Sequence, residues 1–342
     1  MSRLQERITQ GTTGRFAGLD NGFKDLNKVL FGVQKKCYTL IGGQSGTYKT
    51  TLLDFIFLNA IQDAKAKGIP IDVFYYSFEI DKISKQCNWL SQLAYKTYGK
   101  IISPEKIKGL GNNRLSSDEL EIVNSLVPEI EELFNSINFI FDITNPTGIY
   151  NDIFKHCSKY GEFKYSTYIN EHGEEKKRIE SFKYHEDRYV LIGIDHIVLS
   201  KKERGFTTKE NIDKLSEYML GLRNIFDVSP FLVQQFNSGL SATDRQKFKG
   251  VDLSPSQTDF KDSTNPYQDC DVALGIINPY KLDMETYLGY DINKFKDRFI
   301  ALKVIKNRLS KDNVAKGLLA KPEIGSFVEL PRANIINYSD YV

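Results

Sequence analysis

Three absences narrow the field before any motif is read. No apolar run is long enough to span a bilayer, which argues against a helical membrane protein. The start, Met1-Ser2-Arg3-Leu4-Gln5-Glu6-Arg7, is polar, unlike a secretory signal. Cysteine is scarce: the four residues Cys37, Cys87, Cys157 and Cys270 are scattered and lack the paired spacing of a zinc site. They are expected to be small core residues in a reducing, cytoplasmic setting, the host cytoplasm if the protein is viral. A marked excess of either charge is lacking too. A net charge of +2 neither demands nor excludes nucleic acid, so any basic footprint must be local. No internal repeat is present, which sets aside repeat architectures.

What is present is a chain of 342 residues, 41% of them hydrophobic, enough for one large or two ordinary domains with a real core. Its organising stretch is Ile41-Gly42-Gly43-Gln44-Ser45-Gly46-Thr47-Tyr48-Lys49-Thr50-Thr51. A short apolar run, residues 37–41, precedes it, and a helical apolar pattern, Leu52, Leu53, Ile56, Phe57 and Ala60, follows. Strand, glycine-rich turn, Lys-Thr and helix in that order make a phosphate-binding P-loop. Glycines let the backbone wrap phosphate oxygens, while successive N–H groups and the positive end of the helix favour the anion. Gly43 through Thr51 are therefore the expected nucleotide-binding residues. Lys49 reaches the β- and γ-phosphates and Thr50 offers its hydroxyl to Mg²⁺. Tyr48 stands where the usual pattern has glycine, and it is expected to add bulk beside the phosphates.

Further along, residues 72–78, 138–142, 189–194, 230–234, 271–277 and 299–305 read as strands. Helices are expected at 50–67, 82–98, 146–157 and 211–226, with two helical pieces between 100 and 136 broken near Gly109–Asn113. Short strands near Leu318 and at 327–330 read as a hairpin edge. Strands alternating with helices predict a mainly parallel sheet with helices on both faces. The later strands, lacking helices between them, predict antiparallel additions at one edge. Residues 1–15 read as a short lead or linker and 16–342 as one domain. Residues 158–188 read as an inserted excursion in which 164–169 pairs with 177–182 across Asn170-Glu171-His172-Gly173.

Polar residues follow several strand runs directly: Lys49 and Thr50, Glu79, Asp195 and Gln235. In an open α/β sheet ligands bind beyond the carboxyl ends of strands, so these residues are expected along one rim. Asp195 is placed to support Mg²⁺ through a coordinated water. Glu79 is placed to polarise the water that attacks the γ-phosphate, and Gln235 to read that phosphate. His196 is expected as a packed strand-end residue.

Several segments keep a family's order. Gly18-Leu19-Asp20-Asn21-Gly22-Phe23-Lys24-Asp25-Leu26 comes before the P-loop, and Tyr75-Tyr76-Ser77-Phe78-Glu79-Ile80 after it. Ile194-Asp195-His196-Ile197 and Val233-Gln234-Gln235-Phe236-Asn237 come next. Asp262-Ser263, Gln268-Asp269-Cys270-Asp271-Val272 and Ile305-Lys306-Asn307-Arg308 close the series. From about Gly18 to Leu330 the chain resembles the RecA-like motor domain of DnaB-type replicative helicases. Ser238 stands where that family's sensor motif has arginine, and only about fifteen residues stand where the family has its primase-binding domain.

The resemblance implies a RecA-like P-loop NTPase that uses ATP and Mg²⁺, with Glu79 catalytic and Gln235 as sensor. It implies that Lys306 and Arg308 act on a neighbouring subunit's nucleotide, and hence a homo-oligomeric ring, with a hexamer expected. It further implies single-stranded DNA held by Lys201, Lys202 and Arg204 in one loop and Arg245, Lys247 and Lys249 in another, with replication partners and no membrane. The expected activity is an ATP-dependent DNA helicase or translocase. A RecA-type recombinase or helicase-loader ATPase, and a non-motor nucleotide-binding assembly protein, remain open alternatives.

Overall fold

A computed structural model describes residues 3–12, 17–142, 144–237 and 254–341. Its helices are α1 (Arg3–Thr12), α2 (Lys24–Leu30), α3 (Lys49–Ala66), α4 (Lys82–Tyr98), α5 (Pro104–Lys108), α6 (Ser117–Ser136), α7 (Pro146–Cys157), α8 (Thr208–Phe226), α9 (Asn265–Asp269) and α10 (Ile292–Phe295). Strands β1 (Thr39–Gly43), β2 (Ile71–Ser77), β3 (Ile137–Ile140), β4 (Gly161–Ile169), β5 (Glu175–Tyr184), β6 (Tyr189–Asp195) and β7 (Ser229–Gln235) come from the first two thirds of the chain. β8 (Val272–Ile277), β9 (Thr286–Tyr287), β10 (Tyr290–Asp291), β11 (Phe299–Asn307), β12 (Val314–Lys321) and β13 (Ser326–Glu329) follow.

Nine strands make one sheet in the order β13-β12-β11-β8-β1-β7-β6-β2-β3. From β8 to β3 all neighbours run parallel. β11, β12 and β13 then add antiparallel: short turns join β11 to β12 and β12 to β13, while the link from β8 to β11 carries β9, β10 and the single turn of α10. The expected mixed sheet is therefore the observed one. A core lies on each face. Ile41, Leu191 and Val233 pack with α2, α3, α4 and α6, while Leu40, Ile192 and Leu232 pack with α7 and α8. The alternation along each strand assigns the faces.

Local chemistry sets the helix ends. Asp81 caps α4 through the Ser84 N–H at 3.0 Å, and Gly99 ends that helix in the left-handed region. Ser116 and Glu119 form a capping box on α6. Asn145 caps α7, with Pro146 in its first turn. A second capping box, Thr207 with Glu210, starts α8 at Thr208 rather than at the expected Asn211. The predicted ribbon is present as β4 paired antiparallel with β5. It is anchored by Phe182 on Phe226, with ring centroids 4.8 Å apart, and by Phe163 on Phe154 at 5.7 Å. The four cysteines are buried and free, as core residues. No helix among the described residues is long and apolar enough to cross a membrane.

Helix α3 follows the P-loop and is buried nearly all round, because it packs on β1, β7 and β13 of the sheet and meets α4 through Asp54 and Lys85. That position forces its one buried acid to find partners. Asp54 accepts from Lys85 at 2.8 Å and from the Tyr75 hydroxyl at 2.7 Å, which joins α3 to α4 and β2. Burial pushes the Asp54 carboxyl up and the Lys85 ammonium pulls it back. Removing one partner strands the other charge. Lys85→Met should therefore cost about 3–5 kcal/mol in guanidinium unfolding. The double variant Asp54→Leu/Lys85→Met should recover most of that loss. A single variant as stable as the parent would mean that the pair contributes nothing.

Candidate nucleotide-binding site

The site starts from a lack of space at the end of β1. That strand is buried throughout and runs between β7 and β8. A Cβ on Gly43 would lie 2.6 Å from Thr47 Oγ1 and 2.7 Å from Ile276 Cγ2, so only glycine fits. The Gln44 carbonyl then accepts from Thr47 Oγ1 and from Lys49 Nζ, each at 2.7 Å, which closes the loop on itself. Tyr48 takes φ 64° and ψ 28°, the left-handed conformation that glycine adopts freely and that costs a side-chain-bearing residue about 1–2 kcal/mol. Its ring packs edge-on against Phe327 with centroids 6.3 Å apart, so its bulk is directed to the core of β13 instead of only crowding the phosphates. No side chain caps the start of α3, and no acid lies in its first turn. Its N–H donors and positive dipole end are left for an anion.

Adjacent strands deliver the other groups to the same rim. Gly43 pairs in register with Gln235, and Ser77 with Asp195. The Phe78 N–H donates to the Asp195 carbonyl at 3.1 Å, which extends the pairing and carries Glu79 onto the rim. Residues 45–50 with Glu79, Asp195, His196 and Gln235 line one cavity of about 150 Å³. At roughly 30 Å³ per water, that volume suits phosphate groups and a hydrated cation, with base and sugar lying outside it.

The electrostatics are unbalanced. Lys49 is buried, and burial lowers the pKa of its ammonium against the pull of Asp195 and Glu79. Asp195 is 2% exposed, and its Oδ2 has no hydrogen-bond partner among the described residues. An orphaned carboxylate oxygen in a cavity that Thr50 also lines is a donor set that suits a hard cation such as Mg²⁺. His196 is packed, as expected of a strand-end residue, but its Nε2 also lies 3.2 Å from Glu79 Oε1. Burial lowers the His196 pKa, Glu79 and Asp195 opposing. Glu79 itself is 45% exposed and open to the cavity. The peptide bond between Asp195 and His196 is cis.

No protein-family model matches the sequence, and neither does any curated protein. Solved structures do match. One that is described as a protein's ATPase domain superposes with a TM-score of 0.69 at 16% identity, covering 97% of this chain and 100% of that one. A DnaB-like replicative helicase, described with its interactions with primase, superposes with a TM-score of 0.68 at 16% identity over 96% of this chain. The fold is that of a DnaB-type helicase ATPase domain. The chain spans 66% of the second structure's own length.

Within this DnaB-type fold the remaining expected residues are spread out. Gln44 frames the loop, while Thr51 turns its methyl towards Gly325 and does not line the cavity. Lys306 and Arg308 are not at this chain's own cavity. β11 runs antiparallel to β8, so Asn307 pairs with Val272 at the foot of that strand, whereas Gly43 pairs with Ile276 near its head. That offset is about 13 Å along the strand. There Lys306 Nζ donates to the Tyr267 carbonyl at 2.7 Å and Arg308 Nη2 to the Gln268 carbonyl at 3.0 Å, satisfying the last carbonyls of α9.

The loop after β6 exposes Lys201, Lys202 and Arg204. Glu203 in the same loop turns inward to the Thr147 N–H at 2.9 Å, which holds its carboxyl below the usual range, so the outward charge is uniformly positive. Arg245, Lys247 and Lys249, like Ser238, lie outside the described residues. Lys281, which belongs to no motif in the sequence, donates from Nζ to the Gly46 carbonyl at 2.9 Å. A lone lysine between strands carries no signal of its own.

Gly43→Ala should destabilise the fold by about 1–3 kcal/mol, since Thr47 and the Ile276 backbone must both give way. It should also weaken ADP binding measured by calorimetry. Unchanged binding would remove the close-approach account of the loop.

Proposed function

We propose that this chain is an ATP-hydrolysing motor of DnaB type that translocates on single-stranded DNA as a replicative helicase. One observation carries the reading: the uncapped start of α3, Lys49, the orphaned Asp195 carboxylate and Glu79 converge on one cavity. In this reading Lys49 leaves the Gln44 carbonyl for the β- and γ-phosphates. Thr50 and Asp195 would hold Mg²⁺, which would supply positive charge against that developing on the phosphates. Glu79 orients and deprotonates the attacking water, with the His196 imidazole holding its carboxylate. The Gln235 amide reads the γ-phosphate.

Arg308 is half exposed and far from its own P-loop, which supports a role at a neighbour's nucleotide, with Lys306 bracing it. An active site shared in that way requires a homo-oligomer, and a hexameric ring with replication partners is the form proposed. Lys201, Lys202 and Arg204, with Arg245, Lys247 and Lys249, would neutralise the DNA backbone without reading sequence. The turn of the Tyr48 ring onto Phe327 favours this reading over a non-motor nucleotide-binding protein. Electron microscopy with ATP and single strands separates rings from the filaments of a recombinase.

Lys49→Ala should abolish ATPase activity. Glu79→Gln should still bind ATP but lose about 10³-fold in kcat. If Glu79→Gln turns over like the parent, that residue is not the catalytic carboxylate. Mixing Arg308→Ala into the parent protein should suppress DNA-stimulated ATPase more than dilution does, and simple proportional loss would exclude a shared site.

A further inference from the structure

The turn after β8 brings a second lysine onto the P-loop, and this inference rests on the nucleotide-binding reading above. Lys281 lies in a single turn of 3-10 helix, Tyr280–Leu282, on the β8 side of β1, whereas β7, β6 and β2, which carry Gln235, Asp195 and Glu79, lie on the other. The backbone of the turn is fixed. Asn278 is fully buried, donates to the Asp297 carbonyl at 2.8 Å and accepts the Lys281 N–H at 3.3 Å. The Lys281 side chain is exposed. Among the described residues its ammonium has one hydrogen-bond partner, the neutral Gly46 carbonyl, and no carboxylate partner. Gly46 has φ +69° and no side chain, and a Cβ there would lie 3.1 Å from Lys281 Nζ. Nothing therefore stands between this ammonium and the loop.

Charge counting makes the placement informative. Among the side chains lining the cavity, Lys49 is the one lysine, set against the two carboxylates Glu79 and Asp195. Carboxylates thus outnumber lysines in the lining, yet its ligand would be a polyphosphate. A bound divalent cation offsets part of that mismatch, and an unpaired ammonium beside the loop offsets more. Lysine suits the task, because a flexible stem with three rotatable donors can change partners at small cost in geometry.

We propose that Lys281 is a second phosphate-binding cation supplied by the same chain, which leaves the Gly46 carbonyl for the polyphosphate oxygens when a nucleotide enters. The test is titration of the full chain and its Lys281→Ala, Lys281→Gln and Lys281→Arg variants with fluorescent ADP and ATP analogues and Mg²⁺, at two salt concentrations. Loss of a charge-assisted contact should weaken ATP binding about five- to tenfold in both the Ala and Gln variants, with a shallower salt dependence, while Arg stays close to the parent.

A glutamine amide can still donate to the Gly46 carbonyl. Parent-like affinity in Lys281→Gln would therefore mean that the lysine only tethers the loop, and would overturn the proposal. If Lys281→Ala folds poorly, the Gln and Arg variants carry the comparison. Lys49→Ala in the same titration separates the two levels. If Lys49→Ala binds like the parent, the nucleotide-binding reading fails. If it loses binding while Lys281→Gln does not, only the role of Lys281 fails.

Discussion

Close approach at the carboxyl end of β1 is the constraint on which the rest of the site depends. Gly43 is pressed by Thr47 from the loop and by Ile276 from β8, which leaves no room for a Cβ. Because the chain turns so tightly there, the Gln44 carbonyl meets both Thr47 and Lys49, and α3 begins at once. Burial of β1 between two parallel neighbours holds that turn in place, and the Asp54, Lys85 and Tyr75 cluster fixes the helix behind it. The loop is rigid because its frame is core.

Satisfied and unsatisfied groups divide between scaffold and site. Asp81, Ser116, Asn145 and Thr207 cap α4, α6, α7 and α8. Among the described residues the start of α3 has no such cap, and Asp195 keeps a buried oxygen without a partner. Unmade interactions of this kind are costly in a scaffold and useful where a ligand completes them. Tyr48 departs in the same direction. Its left-handed backbone is strained for a tyrosine, and its contact with Phe327 offsets part of that strain.

Much of the fold was legible from local pattern. The helix 82–98 was read to the residue, since Asp81 and Gly99 mark its ends chemically. The ribbon of β4 and β5 was read from its turn, and the antiparallel edge from strands without helices between them. Helix α8 begins before its apolar pattern does, because the Thr207–Glu210 box adds a polar first turn. At the rim, Lys49, Thr50, Glu79, Asp195 and Gln235 were anticipated together and are found lining one cavity. Thr51 was anticipated there and faces elsewhere.

The sequence alone determined the elements, the P-loop and the strand ends that carry polar groups, because these are matters of spacing along a few residues. Only the tertiary structure decided which strands are neighbours, and hence that His196 meets Glu79 and that Lys281 meets Gly46. It also decided that Lys306 and Arg308 lie towards the opposite end of the strands from their own P-loop, through the antiparallel pairing of β11 with β8. Pairing between distant strands is set by the packing of both faces at once, and no interval in the chain records it.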